Sequence, residues 1–297
     1  MTFEAFRREA LQAGAPEPAY RRIEVKPLTG ALGAEIHGAD LTRPLDDELR
    51  EEILTAFYRH LVVYFPDQAG LTPEQHIEFA KIFGPLQRIP HINSIDGYPD
   101  VQIVRRMPEE KTLYIGEGFH SDSSYMDTPP TTVTMRAVQV PEYGGDTAFA
   151  NMYLAFETLS PGMQALLSGM RGVHSAAKIF GSKADQSRFT MKTMSPEEGD
   201  REVIHPLVRT HPATGRKSLF INRTYLIRID GLTEAESQPI LDYLRAHAAH
   251  IAFTCRVRWK NDMVLVWDNR CTHHSAIGDY NTYRYLERVT TGGEVPV

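Results

Sequence analysis

Again and again the chain returns to one kind of segment: a few β-branched, aromatic and aliphatic residues closed by Pro, Gly or Asn. Leu61-Val62-Val63-Tyr64-Phe65 stops at Pro66, an alternating run over 131–138 follows Pro129-Pro130, and Gly144-Gly145-Asp146 turns into Thr147-Ala148-Phe149-Ala150. Branched and aromatic side chains suit a pleated, half-buried surface, and Pro and Gly end its ladder. Further strands are expected at 22–26, 34–37 and 101–105, then at 251–258, 263–267, 274–278 and 284–290. Residues 203–210 and 217–222 read as a hairpin around Pro212-Ala213-Thr214-Gly215. The pattern predicts a mainly β chain with inserted helices, arranged as a double-sheet jelly roll whose mouth is a usual ligand site.

Three helices announce themselves. Residues 46–60 carry Leu49, Ile53, Leu54 and Phe57 at helical spacing. Thr72-Pro73-Glu74-Gln75 has the N-cap, the first-turn Pro and the N3 Gln of a capping box, and Thr233 with Glu236 repeats the device before Leu241 and Leu244. Two shorter helices are expected at 152–159 and 161–170. Polar, glycine-bearing stretches at 107–118 and 175–200 are expected to be active-site loops.

Residues 1–20 read as an N-terminal appendage, set off by Ala13-Gly14-Ala15-Pro16-Glu17-Pro18, and 21–297 as a single domain without repeats or low-complexity linkers. The start of the chain lacks the apolar centre of a signal peptide, and only Cys255 and Cys271 are present, so a cytoplasmic location is expected. A formal net charge of −6 without a basic run speaks against nucleic acid or membrane as partners. A small anionic ligand would then be met by local arginines, and a homo-oligomer stays open.

The chemistry centres on Phe119-His120-Ser121-Asp122. On an extended strand, residues two apart face the same way, so His120 and Asp122 can aim at one point. A third ligand is offered by Trp267-Asp268-Asn269-Arg270-Cys271-Thr272-His273-His274, where alternation lets only one of the two histidines reach that point. Two histidines and one carboxylate form the facial triad of non-haem Fe(II) oxygenases. Arg284 and Arg288, four apart on a strand, share a face; by pattern alone that face is solvent or pocket. His174, His205 and His211 are expected in structural roles, Trp267 in the core, and Asp268 with Asn269 at a turn.

Taken together, His120-x-Asp122, Gly144-Gly145-Asp146-Thr147, Trp267-Asp268-Asn269-Arg270 with His274, and the closing arginines resemble the taurine/2,4-dichlorophenoxyacetate dioxygenase family, over about residues 22–293. The resemblance implies a double-stranded β-helix, Fe(II), 2-oxoglutarate and O2, with His120, Asp122 and His274 as metal ligands. It implies that Thr147 and Arg284 bind the distal carboxylate of 2-oxoglutarate, and that Arg288 faces the substrate or supports the co-substrate. The interval from His274 to the arginines is about one residue shorter than in taurine-type members, which leaves their division of duties open.

For the substrate, the runs at 205–212, 255–260 and 283–286 look closest to the aryloxyalkanoate-cleaving branch. The expectation is hydroxylation of an aryloxyalkanoate-like acid next to its heteroatom, with Phe119, Ser124, Tyr125, Ile89, His91 and Arg288 as contacts. The alternative substrate is an alkylsulfonate such as taurine, or an alkyl sulfate ester. Two other classes compete: a metal-dependent hydrolase on the same ligands and a non-catalytic jelly-roll binding protein.

Overall fold

The computed structural model describes residues 18–110, 116–184 and 194–297. The appendage expected at 1–20 therefore lies outside the described residues up to residue 17, as do 111–115 of the first expected loop and 185–193 of the second. Among the described residues the strands are β1 (Glu24–Pro27), β2 (Ala34–His37), β3 (Val62–Phe65), β4 (Ser94–Ile95), β5 (Tyr98–Arg106), β6 (Pro130–Gln139), β7 (Thr147–Asn151) and β8 (Arg171–Ser175). They continue with β9 (Glu202–Pro206), β10 (Val208–Thr210), β11 (Lys217–Leu219), β12 (Leu226–Ile229), β13 (Thr254–Val257), β14 (Val264–Asp268), β15 (Thr272–Ala276) and β16 (Arg284–Gly292). The helices are α1 (Asp47–His60), α2 (Pro73–Ala80), α3 (Met152–Glu157), α4 (Pro161–Ser168), α5 (Ala177–Phe180), α6 (Pro196–Asp200) and α7 (Glu234–Ala248).

The main sheet has eight strands in the order β1-β2-β3-β14-β6-β16-β5-β4, and a second sheet runs β13-β7-β15. Alternation along β3 and β14 builds both faces of the main sheet. Val63, Phe65, Val264 and Val266 point one way, into a cluster with Ile53 and Phe57 of α1 and Phe79 of α2. Val62, Leu265 and Trp267 point the other way, where they meet Phe149 of β7 and Cys255 and Val257 of β13. Burying each large apolar side chain contributes about 1.5–3 kcal/mol. This shared layer therefore fixes the second sheet against the first, and the candidate site lies at its edge.

Local signals hold as expected at the helices. Asp46 caps α1 by accepting from Leu49 N, and the capping boxes at Thr72–Gln75 and Thr233–Glu236 are both closed. Elsewhere the structure differs from the sequence reading. The expected 203–210 strand is broken at Leu207: β9 pairs with β8, while β10 alone forms the hairpin with β11. Pro206 ends the first ladder because it has no amide to donate. Strands β8 and β12, which with β9 make a third sheet, were not expected. The supposed extended strand at 120–122 is also absent: His120 makes one isolated bridge, and Ser123, at φ 52°, already lies in a turn.

Candidate active site

His120 and His274 are held to one another by their own backbones. His120 N donates to His274 O at 3.0 Å and His274 N to His120 O at 2.8 Å, which sets their rings 4.3 Å apart. Asp122, two residues beyond the bridge, brings Oδ1 to 3.9 Å from Nε2 of each histidine. One ligand atom from each of the three lies within 4.8 Å of the others. His273, one residue earlier on β15, is buried and is not one of this group, although His120 and then Arg245 are the charges nearest to it. Strand alternation thus separates the two histidines as the sequence required.

The donor set fits a divalent metal. Nδ1 of His120 lies 2.9 Å from Gly118 O. A carbonyl only accepts, so Nδ1 carries the proton and Nε2 keeps its lone pair for the site. Burial, with the charge of His120 second, pushes His274 down to about 3, so its ring is neutral. Burial on its own would raise Asp122, but the Arg288 guanidinium holds it below its ordinary value. Among the described residues Oδ2 of Asp122 has no hydrogen-bond partner, although Nη1 of Arg288 stands 3.6 Å away. These residues could hold Fe(II) through two imidazole nitrogens and one carboxylate, the ligand types such a triad needs.

The three residues line a cavity of about 270 Å³ that also takes in Thr147, Trp259, Tyr280, Arg284 and Arg288. Arg284 and Arg288 are 8% and 7% exposed, which decides between solvent and pocket for their face of β16. Leu286 between them joins the apolar layer. Nε of Arg284, and Nε and Nη2 of Arg288, lack hydrogen-bond partners among the described residues. Unsatisfied donors on a buried guanidinium are costly, so although Arg284 also bonds to Tyr280 and Arg288 stands near Asp122, both arginines keep donors that an anion could take. Burial lowers Arg284 from its ordinary value, and its guanidinium lies over the rings of Trp259 (5.6 Å) and Tyr280 (6.0 Å).

Thr147 opens β7 beside this arginine, and the turn before it explains its glycines. Gly144 and Gly145 have φ of 77° and 68°, and a Cβ on Gly144 would fall 2.8 Å from Asp279 O. Gly145 N donates to Asp279 Oδ1 at 2.7 Å, and Arg256 Nε to Asp146 Oδ2 at 2.5 Å, so the turn is pinned against the chain that follows β15.

Of the residues expected to touch substrate, His91 and Arg288 line the cavity. Tyr125 stands behind His91, its hydroxyl 3.1 Å from Nε2. Ile89 is buried and joined through its backbone to Gln102, and Phe119 packs on the cluster that includes Leu241 and Leu244 of α7. Ser124 is buried between His174 Nδ1 and Asn222 Nδ2, each at 2.9 Å. His205 bonds to Met126 O, and His211 to Asp268, in line with structural roles. The sequence reading missed Trp259, Tyr280 and Asn93 in the cavity wall. Trp259 had a signal, since it directly follows the strand expected at 251–258.

Comparison with known proteins follows the same lines. The family model described as taurine catabolism dioxygenase TauD, TfdA family matches residues 24–290. An alpha-ketoglutarate-dependent sulfate ester dioxygenase of Pseudomonas putida is 31% identical, over 95% of this chain and 94% of its own. The alpha-ketoglutarate-dependent 2,4-dichlorophenoxyacetate dioxygenase of Cupriavidus pinatubonensis is also 31% identical, over 91% and 97%. A crystal structure of a taurine dioxygenase from Burkholderia xenovorans superposes with a TM-score of 0.79 at 37% identity, covering 93% of this chain and 91% of that one. The likeness places the facing sheets in the double-stranded β-helix fold, and the matches do not single out the aryloxyalkanoate branch. The chain belongs to the TauD/TfdA family and is an Fe(II)- and 2-oxoglutarate-dependent dioxygenase.

Proposed function

We propose that the enzyme oxidises an alkyl sulfate ester or alkylsulfonate at the carbon bearing the sulfur-containing group. His120, Asp122 and His274 would hold Fe(II), and Arg284 with Thr147 the distal carboxylate of 2-oxoglutarate. The observation that carries this reading is the pair of buried arginines, incompletely hydrogen-bonded, opening on one cavity with the triad. When bound, the iron with 2-oxoglutarate and O2 supplies the oxidation that puts one oxygen into a C–H bond and leaves succinate and CO2. The chain itself binds, orients and excludes water. Hydroxylation at a carbon bearing a sulfate gives a product that falls apart into aldehyde and inorganic sulfate.

The donors at the substrate end support a sulfo group. A carboxylate has two oxygens, which one guanidinium fork can satisfy. A sulfo group presents three, and Arg288, His91 and Asn93 all line the cavity. Burial, and then the charge of Arg288, push His91 down to about 4, so it is a neutral ring. Burial pushes the Tyr125 hydroxyl up to about 12, which keeps its proton. If that hydroxyl donates to Nε2, 3.1 Å away, the neutral ring of His91 carries its proton on Nδ1. The names of the Pseudomonas and Burkholderia relatives support the same class.

An aryloxyalkanoate is the second reading, supported by the equal identity of the dichlorophenoxyacetate enzyme. Hydrolase chemistry and a non-catalytic binding role are both poorer fits to a family that uses Fe(II) and 2-oxoglutarate. The test is a panel of alkyl sulfates, alkylsulfonates and aryloxy acids read by succinate release. Coupling to sulfo compounds of matched chain length is expected. Coupling confined to aryloxy acids would select the second reading, and coupling only to neutral or cationic molecules would defeat both.

A further inference from the structure

Each metal-ligand candidate needs its backbone fixed, and two of them fix each other. The paired hydrogen bonds of the His120–His274 bridge tie the two histidines directly. Among the described residues Asp122 has no such strand partner, because its segment turns away at Ser123. Both backbone groups of Asp122 are taken instead by one side chain. Asn269 Oδ1 accepts from Asp122 N at 2.7 Å, and Asn269 Nδ2 donates to Asp122 O at 3.1 Å. The same Nδ2 donates to Pro130 O at 2.8 Å, and Asn269 N donates to Thr131 O at 2.9 Å. The amide is 2% exposed and sits in the turn between β14 and β15, five residues before His274.

From this geometry we infer that Asn269 is a positioning residue for the metal. Its amide does for Asp122 what the β-bridge does for the histidines, by setting the height and direction of the carboxylate relative to Nε2 of His274. An aspartate in a turn with free backbone groups samples several directions. One whose N–H and C=O are both clamped presents its oxygens to one point, so metal binding need not pay for ordering them. The far side of the turn is anchored separately, with Ser218 Oγ donating to Arg270 O at 3.2 Å, and that contact does not reach Asp122.

The inference rests on the proposal that Asp122 is a ligand, and the experiment separates the two. Mn(II) alone is titrated into metal-free full-length protein and into Asn269→Ala, Asn269→Asp, Ser218→Ala and Asp122→Ala, with the thermal midpoint of each metal-free variant recorded. Asn269→Asp keeps the size and the acceptor but removes both donated bonds. Both Asn269 variants should raise the Kd for Mn(II) by roughly 10- to 100-fold, the range for residues that orient a ligand. Ser218→Ala should lower the midpoint and leave the Kd within about twofold. If Asp122→Ala loses Mn(II) while both Asn269 variants bind like the wild type, the inference is overturned and the ligand set stands. If Asp122→Ala binds like the wild type, the ligand set fails and takes the inference with it. Failure of both Asn269 variants to fold would assign Asn269 to the scaffold and also overturn the inference.

Discussion

The indole Nε1 of Trp259 donates to Oγ1 of Thr147 at 3.0 Å. That bond occupies a lone pair of the hydroxyl and leaves the threonine's own proton to be donated elsewhere, on the wall where Arg284 also stands. The Trp259 ring in turn lies against the Arg284 guanidinium, so one side chain orients both groups proposed to hold the distal carboxylate of 2-oxoglutarate.

Trp259→Phe should therefore weaken co-substrate binding while keeping most of the packing. Loss of one orienting hydrogen bond corresponds to about 1 kcal/mol, or roughly fivefold in KM for 2-oxoglutarate. Succinate formation against 2-oxoglutarate concentration measures it, and an unchanged KM would detach Trp259 from that role.

The two arginines should separate by what they bind. Arg284→Ala should raise the KM for 2-oxoglutarate by about 2 kcal/mol of lost charge-assisted bonding or more. Arg288→Ala should act mainly on the KM of the sulfo substrate, and on metal binding through its contact with Asp122. The reverse pattern in steady-state kinetics would exchange the two assignments.

Acid should destabilise the protein through histidines buried in the neutral form. Burial pushes His76 down to about 3, where its Nε2 lies 2.9 Å from Thr134 Oγ1. An unfolded chain takes up this proton near pH 6.5 and the folded one does not. Stability from His76 is thus fully present above pH 6.5, and falls as pH drops towards 3 by up to about 1.4 kcal/mol per unit. Urea unfolding at several pH values should show this slope, and His76→Gln should flatten it by about one proton.

His211, Asp268 and Cys271 form a second group with metal-ligand atoms close together, yet the atoms are already committed. His211 Nδ1 accepts from Ala213 N and Thr214 N, its Nε2 donates to Asp268 Oδ2 at 2.9 Å, and Arg270 holds Asp268 through three further bonds, one from its backbone and two from its guanidinium. Burial pushes the Cys271 thiol well up. His211→Ala leaves a buried charge short of one partner and should cost about 3 kcal/mol in unfolding free energy. The number of metal ions bound per chain should stay the same.

Which parts of this were legible in the sequence follows from how local each signal is. The caps at Asp46, Thr72 and Thr233 are written within four residues, and the faces of β3 and β14 within five, so each is readable without tertiary knowledge. The period of a strand says only that one of His273 and His274 can reach the metal point, and the choice of His274 comes from the resemblance of its motif. The clamp of Asn269 on Asp122 joins positions 147 residues apart, and nothing near Asn269 says more than turn. The substrate wall was read least well, because Phe119, Ser124 and Tyr125 share a motif with the ligands yet sit behind the cavity surface, facing other partners.

The account stands most directly on the metal ligands. Fe(II)- and 2-oxoglutarate-dependent succinate formation should be measured under limiting Fe(II) for the wild type and for His120→Ala, Asp122→Ala and His274→Ala, with circular dichroism of each. The account predicts turnover in the wild type and its loss in all three variants with the fold retained. Full turnover in any one of them would contradict it.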